Sequence, residues 1–511
     1  MKFSKKVFRF TTSALSLAIM AALPSLVFAD SKKSGTPHFQ RIATYLVCEN
    51  TSCDKNIVNE TVAEIVAASK DGNTLIYTDS PTGRIGFVDI HDAENPVSLG
   101  TVHTGGEPTS VAVSGDYALV GVNTSASFLE PSGILAVYHI PSCLSDISSC
   151  SAIREIDMGG QPDSVAVSPD GRYAAVVIEN ERDEDITVSG VEGGLPQLPA
   201  GYLNIIDLVG APANWGVRPV DLTGLAAYGG DDPEPEFVSI NQRNIAAVTM
   251  QENNHIVFVN LVNGKVLQHF NAGTVTLDGI DIADNKSIDF TDTLTDVVRE
   301  PDGIAWLDNN KVVTANEGDL FGGSRGFSMF NRNGKVLYDS GTEFEYLAAT
   351  AGHYPEKRSD NKGTEPEGIA TGRYKNETFV FVGSERGNFV GVYQVNGNKM
   401  KYKQMLPTGS GPEGLLAIPG RKLFVASTEV DSPVRSQINI FRLEHKPAAY
   451  PQIKSVLQAD GKPIAWGALS ALSSDRYDAK RLYAVHDNFY DKSRIYNIDI
   501  SKRPAKITSA T

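Results

Sequence analysis

The sequence predicts an all-β protein: a seven-bladed β-propeller with an additional C-terminal blade or a truncated second propeller domain. Three observations lead there. The first is a recurring phrase built on a proline, usually followed by an acid and then an apolar strand. It reads EPTSVAV at 107–113, QPDSVAV at 161–167, EPEFVSI at 234–240, EPDGIAW at 300–306, EPEGIAT at 365–371 and GPEGLLAI at 411–418, with unprolined relatives AEIVAAS at 63–69 and GALSALS at 467–473. Units recurring at this scale stack to share one core. The second is the stretch after each phrase: a tight turn, a second strand such as TLIYTD, YALVGVN or TFVFVGSE, then a third such as IGFVDI or LNIIDL. These runs are β-branched and aromatic and alternate with period two between turn residues. The third is RIATYLVC at 41–48, a strand ahead of the first full unit that can complete the last blade and close the ring.

Taken in chain order, residues 1–29 read as a secretory signal peptide. A basic start (Lys2 to Arg9) precedes an apolar run, and Val27 and Ala29 sit at the cleavage site. No later stretch approaches a spanning length, so the expectation is a periplasmic or secreted monomer with no membrane span. Cys48 and Cys53, five apart, and Cys143 and Cys150, seven apart, fit two local disulfides in an oxidising compartment. Zinc is the alternative, disfavoured because no histidine lies beside either pair at ligand spacing. The propeller is placed at 38–445, and a further unit at 452–511 lies beyond the proline-containing stretch 445–451.

The 511-residue chain carries a formal charge of −15, and losing the leader's Lys2, Lys5, Lys6 and Arg9 makes it more acidic still. Such a surface repels a phosphate backbone, which excludes nucleic acid as a partner. Aligned by unit, the second strands end on Asp79, Asn123, Glu179, Glu252, Glu317, Glu385, Glu429 and Asp487, and the strand entries carry Glu64, Asp163, Glu236, Asp302, Glu367 and Glu413. A propeller gathers these positions near its axis, where carboxylates raise one another's pKa. Calcium, which accepts six to eight oxygens in loose geometry, relieves that crowding. The alternative for any one acid is a structural role, accepting backbone N–H bonds at a turn. Glu252, Glu317, Glu367 and Glu385 are the expected metal ligands, Ca²⁺ the expected cofactor, and Arg325 and Arg386 the expected phosphate contacts. Asp278, Asp281 and Asp284 lack the EF-hand glycine and closing glutamate, so a solvated loop is favoured there. No G-x-S-x-G elbow, H-E-x-x-H or P-loop is present, so a hydrolase of this sequence would use metal-activated water.

The phrases IENERDED, LPQLPAGYLNIIDL, VTMQENNHIVFVNL, REPDGIAW, RSDNKGTEPEGIA and LSALSSDRYDAKRLYAVHDNFYDKSRIYNIDIS resemble secreted bacterial proteins of the "esterase-like activity of phytase" family, whose N-terminal propeller is similar to the choice-of-anchor I domain. The resemblance implies a Ca²⁺-assisted phosphoric-ester hydrolase, a metal-dependent phosphomonoesterase or esterase acting on a phosphorylated small molecule. It also implies that 452–511 begins a phytase-like domain that the chain truncates. The competing expectation is a non-catalytic scaffold that binds a cell-surface partner.

Overall fold

In the computed structural model, residues 36–53 and 60–511 are described; the expected leader lies outside them. The described residues form seven four-stranded antiparallel sheets, one five-stranded sheet and two two-stranded ribbons. Blade 1 is Val66–Ala68, Thr74–Asp79, Arg84–Asp89 and Val97–His103. Blades 2 to 6 start at Glu107–Ser114, Pro162–Val167, Pro235–Ile240, Ile304–Asp308 and Ile369–Tyr374. Blade 7 takes three strands from Pro412–Ile418, Leu423–Thr428 and Gln437–Glu444, and its fourth, His38–Leu46, from the other end of the chain.

Ring closure follows from the packing. The first strand of each blade contacts the first strand of the next, and that of blade 7 contacts that of blade 1. Because each blade buries both faces, the hydrophobic core divides into clusters between neighbours. Tyr77 and Leu75 meet Val425 and Ile440 between blades 1 and 7, whereas Phe379 and Phe381 meet Phe424 and Phe441 between blades 6 and 7. The Phe381 and Phe424 rings stack at 3.9 Å. Three glycines bring the entries of adjacent blades together. A Cβ on Gly303, Gly368 or Gly414 would lie 2.4, 2.3 or 2.2 Å from the backbone carbonyl of Glu367, Glu413 or Glu64, the entry acid of the next blade. No larger residue permits that approach.

The five-stranded sheet spans Ile453–Ser455 to Ala505–Ala510, with its first strand parallel to its last. Its own small core (Ile464, Ala484, Tyr496, Ile498, Ile507) would not hold one blade alone. It docks on the ring: Ala465 joins the core between blades 5 and 6, and Trp466 Nε1 donates to Thr350 O at 2.9 Å. Both disulfides are formed, Cys48–Cys53 and Cys143–Cys150.

Candidate metal centre

The ladder itself sets the acids in place. In blades 3, 6 and 7 the second strand ends with Glu179, Glu385 and Glu429 donating backbone N–H to the carbonyls of Gln161, Glu365 and Gly411. Each carbonyl lies two residues before an entry acid: Asp163, Glu367 and Glu413. In blades 3, 4 and 7 the entry acid sits where the register shifts, between Pro162 and Val165, Pro235 and Val238, and Pro412 and Leu415. Such a bulge re-aims a side chain at the end of a strand.

The result is three carboxylate groups, each with oxygens within 4.8 Å of one another: Asp163, Glu179 and Glu236; Asp302, Glu317 and Glu367; and Glu367, Glu385 and Glu429. They line one channel. Glu413 is held above the usual carboxylate range by burial and then by Glu429, Glu64, Asp302 and Asp163, which come from blades 7, 1, 5 and 3. Burial followed by Glu385, Glu413, Glu317 and Glu429 likewise pushes Glu367 well up. Blade 2 has Thr109 and Asn123 at the two aligned positions, and its nearby acid is Glu107, which accepts from Asn123 Nδ2.

Of the four expected ligands, Glu317, Glu367 and Glu385 are brought together, and Glu367 belongs to two groups. Glu252 lies outside them. In blade 4 it is Gln251 whose N–H meets the Glu234 carbonyl, the position held elsewhere by Glu179, Glu385 and Glu429. One residue further on, Glu252 turns to Arg182 Nη1 at 2.8 Å, with its Oε2 buried and unpartnered.

The expected phosphate contacts divide as well. Arg386 is at the channel, its Nη1 2.7 Å from Glu385 and its Nε 2.7 Å from Glu365. Arg325 is not. It is 2% exposed, and its Nη atoms donate to the carbonyls of Asp281, Ser359 and Asn361 at 2.9, 2.9 and 2.7 Å. The GGSRG loop turns it inward to tie two insertions together. Two cations outside the expected pair stand near the channel. Lys362 Nζ is 2.9 Å from Glu317, and Arg182 bridges Glu252 and Asp319. Their signal was the sequence position of two long insertions, the usual carriers of function on a rigid scaffold.

Other acids are structural. The Glu300 carboxylate accepts N–H bonds from Asp319, Phe321 and Gly323, and burial still lifts its pKa to about 7. Asp281 accepts from Ala283 and Asp289, pinning its own loop. The donor set fits a cation. Oxygens bound to one Ca²⁺ lie no more than about 5 Å apart, and the buried Oε2 of Glu367 has no hydrogen-bond partner.

The comparisons bear on the fold and family. The choice-of-anchor I domain matches residues 64–322 and 319–398. No curated protein matches. Among solved structures, U3-55K is 9% identical with a TM-score of 0.52, and the RRP9 WD40 repeats are 9% identical at 0.51. In each case 80% of this chain and 100% of the other are covered. A virginiamycin B lyase from Staphylococcus aureus, crystallised with quinupristin, is 12% identical over 80% of this chain and 100% of its own, at a TM-score of 0.48. The two WD40-type likenesses show the propeller fold alone. Two disulfides on this scaffold belong to an extracytoplasmic protein, and among the described residues no helix is long and apolar enough to cross a membrane. The match over 64–322 and 319–398, which takes in blades 1 to 6, shows that the chain belongs to the choice-of-anchor I domain family.

Proposed function

We propose that the axial channel binds divalent cations, Ca²⁺ foremost, and that the loaded channel mouth receives a phosphorylated small molecule and hydrolyses its ester. One observation carries the cation reading: Glu367 is shared by two carboxylate groups and keeps a buried oxygen without a partner. A bare carboxylate so placed is costly, and a cation removes the cost. Bound Ca²⁺ would reverse the local field and polarise a phosphoryl oxygen. The chain's own part is to hold the phosphate. Arg386, 43% exposed at its side chain, and Lys362 are the cations that can turn from Glu365, Glu385 and Glu317 once Ca²⁺ takes over those carboxylates. The attacking group is water, since no nucleophile motif is present; its oxygen bonds to phosphorus as the alcohol oxygen leaves and takes the proton. The phytase-like resemblance of the sequence supports this class of reaction.

A second reading, a cation-stabilised binding scaffold without turnover, is favoured by the ion pairing of Arg182, Lys362 and Arg386 and by the inward-turned Arg325. Hydrolysis of p-nitrophenyl phosphate, with Ca²⁺ and with chelator, separates the two. Turnover that requires Ca²⁺ and is lost in Glu367→Gln supports the hydrolase. Binding of Ca²⁺ without turnover supports the scaffold.

A further inference from the structure

A second concave site lies away from the axis, where the five-stranded sheet docks on the ring. Its walls are Trp466, Tyr490 and His486, and its rim carries Lys286, Lys492 and Arg494. The crevice itself encloses only about 20 Å³; beside it lies a cleft of about 330 Å³ that shares Ile288, Ala465 and Arg494 and is also lined by Asp289, Asp460 and Lys462. Both sides of the crevice are fixed. On the ring side, Glu356 Oε1 accepts the N–H groups of Asn285 (2.9 Å) and Ser287 (3.2 Å), setting the turn in which Lys286 has φ 60. On the sheet side, His486 has Nδ1 2.5 Å from Asp487 O and Nε2 2.7 Å from Lys492 O, so the ring braces the loop that carries Lys492. Asp491 N donates to Lys286 O at 3.0 Å and joins the two sides.

The charge is out of character for the chain. In a protein of net charge −15, three cations meet at one crevice, and none of their side chains has an ion pair or hydrogen bond among the described residues. Acids stand nearby without forming ion pairs with them: Glu356 Oε1 accepts from Asn285 and Ser287 N–H, Asp487 accepts from Phe489 N, and Asp289 and Asp460 line the adjoining cleft. Unpaired cations over aromatic faces suit an anion with a flat apolar body. The anion takes charge-assisted hydrogen bonds at the cationic rim, and the body lies in the adjoining cleft beside Ile288 and Ala465.

We propose that this crevice binds an organic anion, a phosphate, phosphonate or carboxylate group attached to an aromatic or similarly flat body, and that it does so independently of the axial cations. The probe is phenylphosphonate, which has no ester to hydrolyse, titrated by calorimetry into the full chain in the presence of chelator. Saturable binding is expected. Lys492→Ala with Arg494→Ala should weaken it roughly tenfold or more, the loss of about one charge-assisted contact, while the thermal midpoint stays unchanged because both side chains are unpaired. Glu367→Gln should bind as the wild type does, so failure here is distinct from failure at the channel. Absence of saturation at millimolar probe, equal affinity in the double variant, or inorganic phosphate binding as tightly as phenylphosphonate would each overturn the proposal.

Discussion

Glu367→Gln is expected to abolish most of the stabilisation that Ca²⁺ confers, and to raise the thermal midpoint of the cation-free protein. The two effects have opposite signs, and both come from the same side chain. Without cation, Glu367 is a carboxylate enclosed among Glu385, Glu413, Glu317 and Glu429, so removing its charge relieves repulsion. With cation it serves two of the three carboxylate groups. A ligand at a hundredfold its dissociation constant stabilises by about 2.7 kcal/mol. A chain of this length unfolds with an entropy of about 1 kcal/mol/K, so the shift is about 3 °C. Differential scanning calorimetry with Ca²⁺ and with chelator reads both signs; an unchanged Ca²⁺ response in the variant would remove Glu367 from the site.

The same acids fix a pH dependence. A carboxyl whose folded pKa lies above its unfolded value of about 4 leaves the native state most stable below that value. Stability is then lost as the pH rises through the folded pKa. For Asp79, lifted by burial to about 6, and Glu300, to about 7, the window runs from about pH 4 to pH 7. The channel acids move in the same direction and extend it upward. Cation-free protein should therefore unfold more easily at pH 8 than at pH 5, and Ca²⁺ should flatten the difference.

The second large effect is Arg325→Ala, expected to cost about 4 kcal/mol and to lower the midpoint by about 4 °C. The substitution strands three carbonyls that now accept from one guanidinium, and it leaves the buried Glu345 without the positive charge that opposes its desolvation. Lysine should not rescue it, because one ammonium cannot reproduce two Nη donors fixed in a planar fork. A phosphate contact behaves otherwise, with KM rising at an unchanged midpoint. Thermal melts beside kinetics on p-nitrophenyl phosphate therefore discriminate tie from contact.

The two arginines show where sequence reading stops. Blade count, the closing strand and both disulfides were legible because period-two alternation, the recurring proline phrase and local cysteine spacing are short-range signals. Entry acids were legible for the same reason: the residue after the proline falls in a bulge at a strand end. Glu252 stands apart from the three carboxylate groups beside Arg182, a partner 70 residues away that spacing does not reveal. Arg325 and Arg386 look alike in sequence, each beside a glycine and near an acid-rich strand end. Their fates depend on which insertion folds over them, a contact made across 30 to 45 residues for Arg325. The cationic crevice was illegible because Lys286 and Arg494 lie far apart in the chain and meet only when the last sheet docks.

The borrowed strand of blade 7 governs how the molecule is assembled. His38–Leu46 leaves the ribosome first among the described elements, yet its partner Gln437–Glu444 is made only after six other blades. Until then the nascent chain is an open arc with two unsatisfied ends, and contacts of such long range are slow to form.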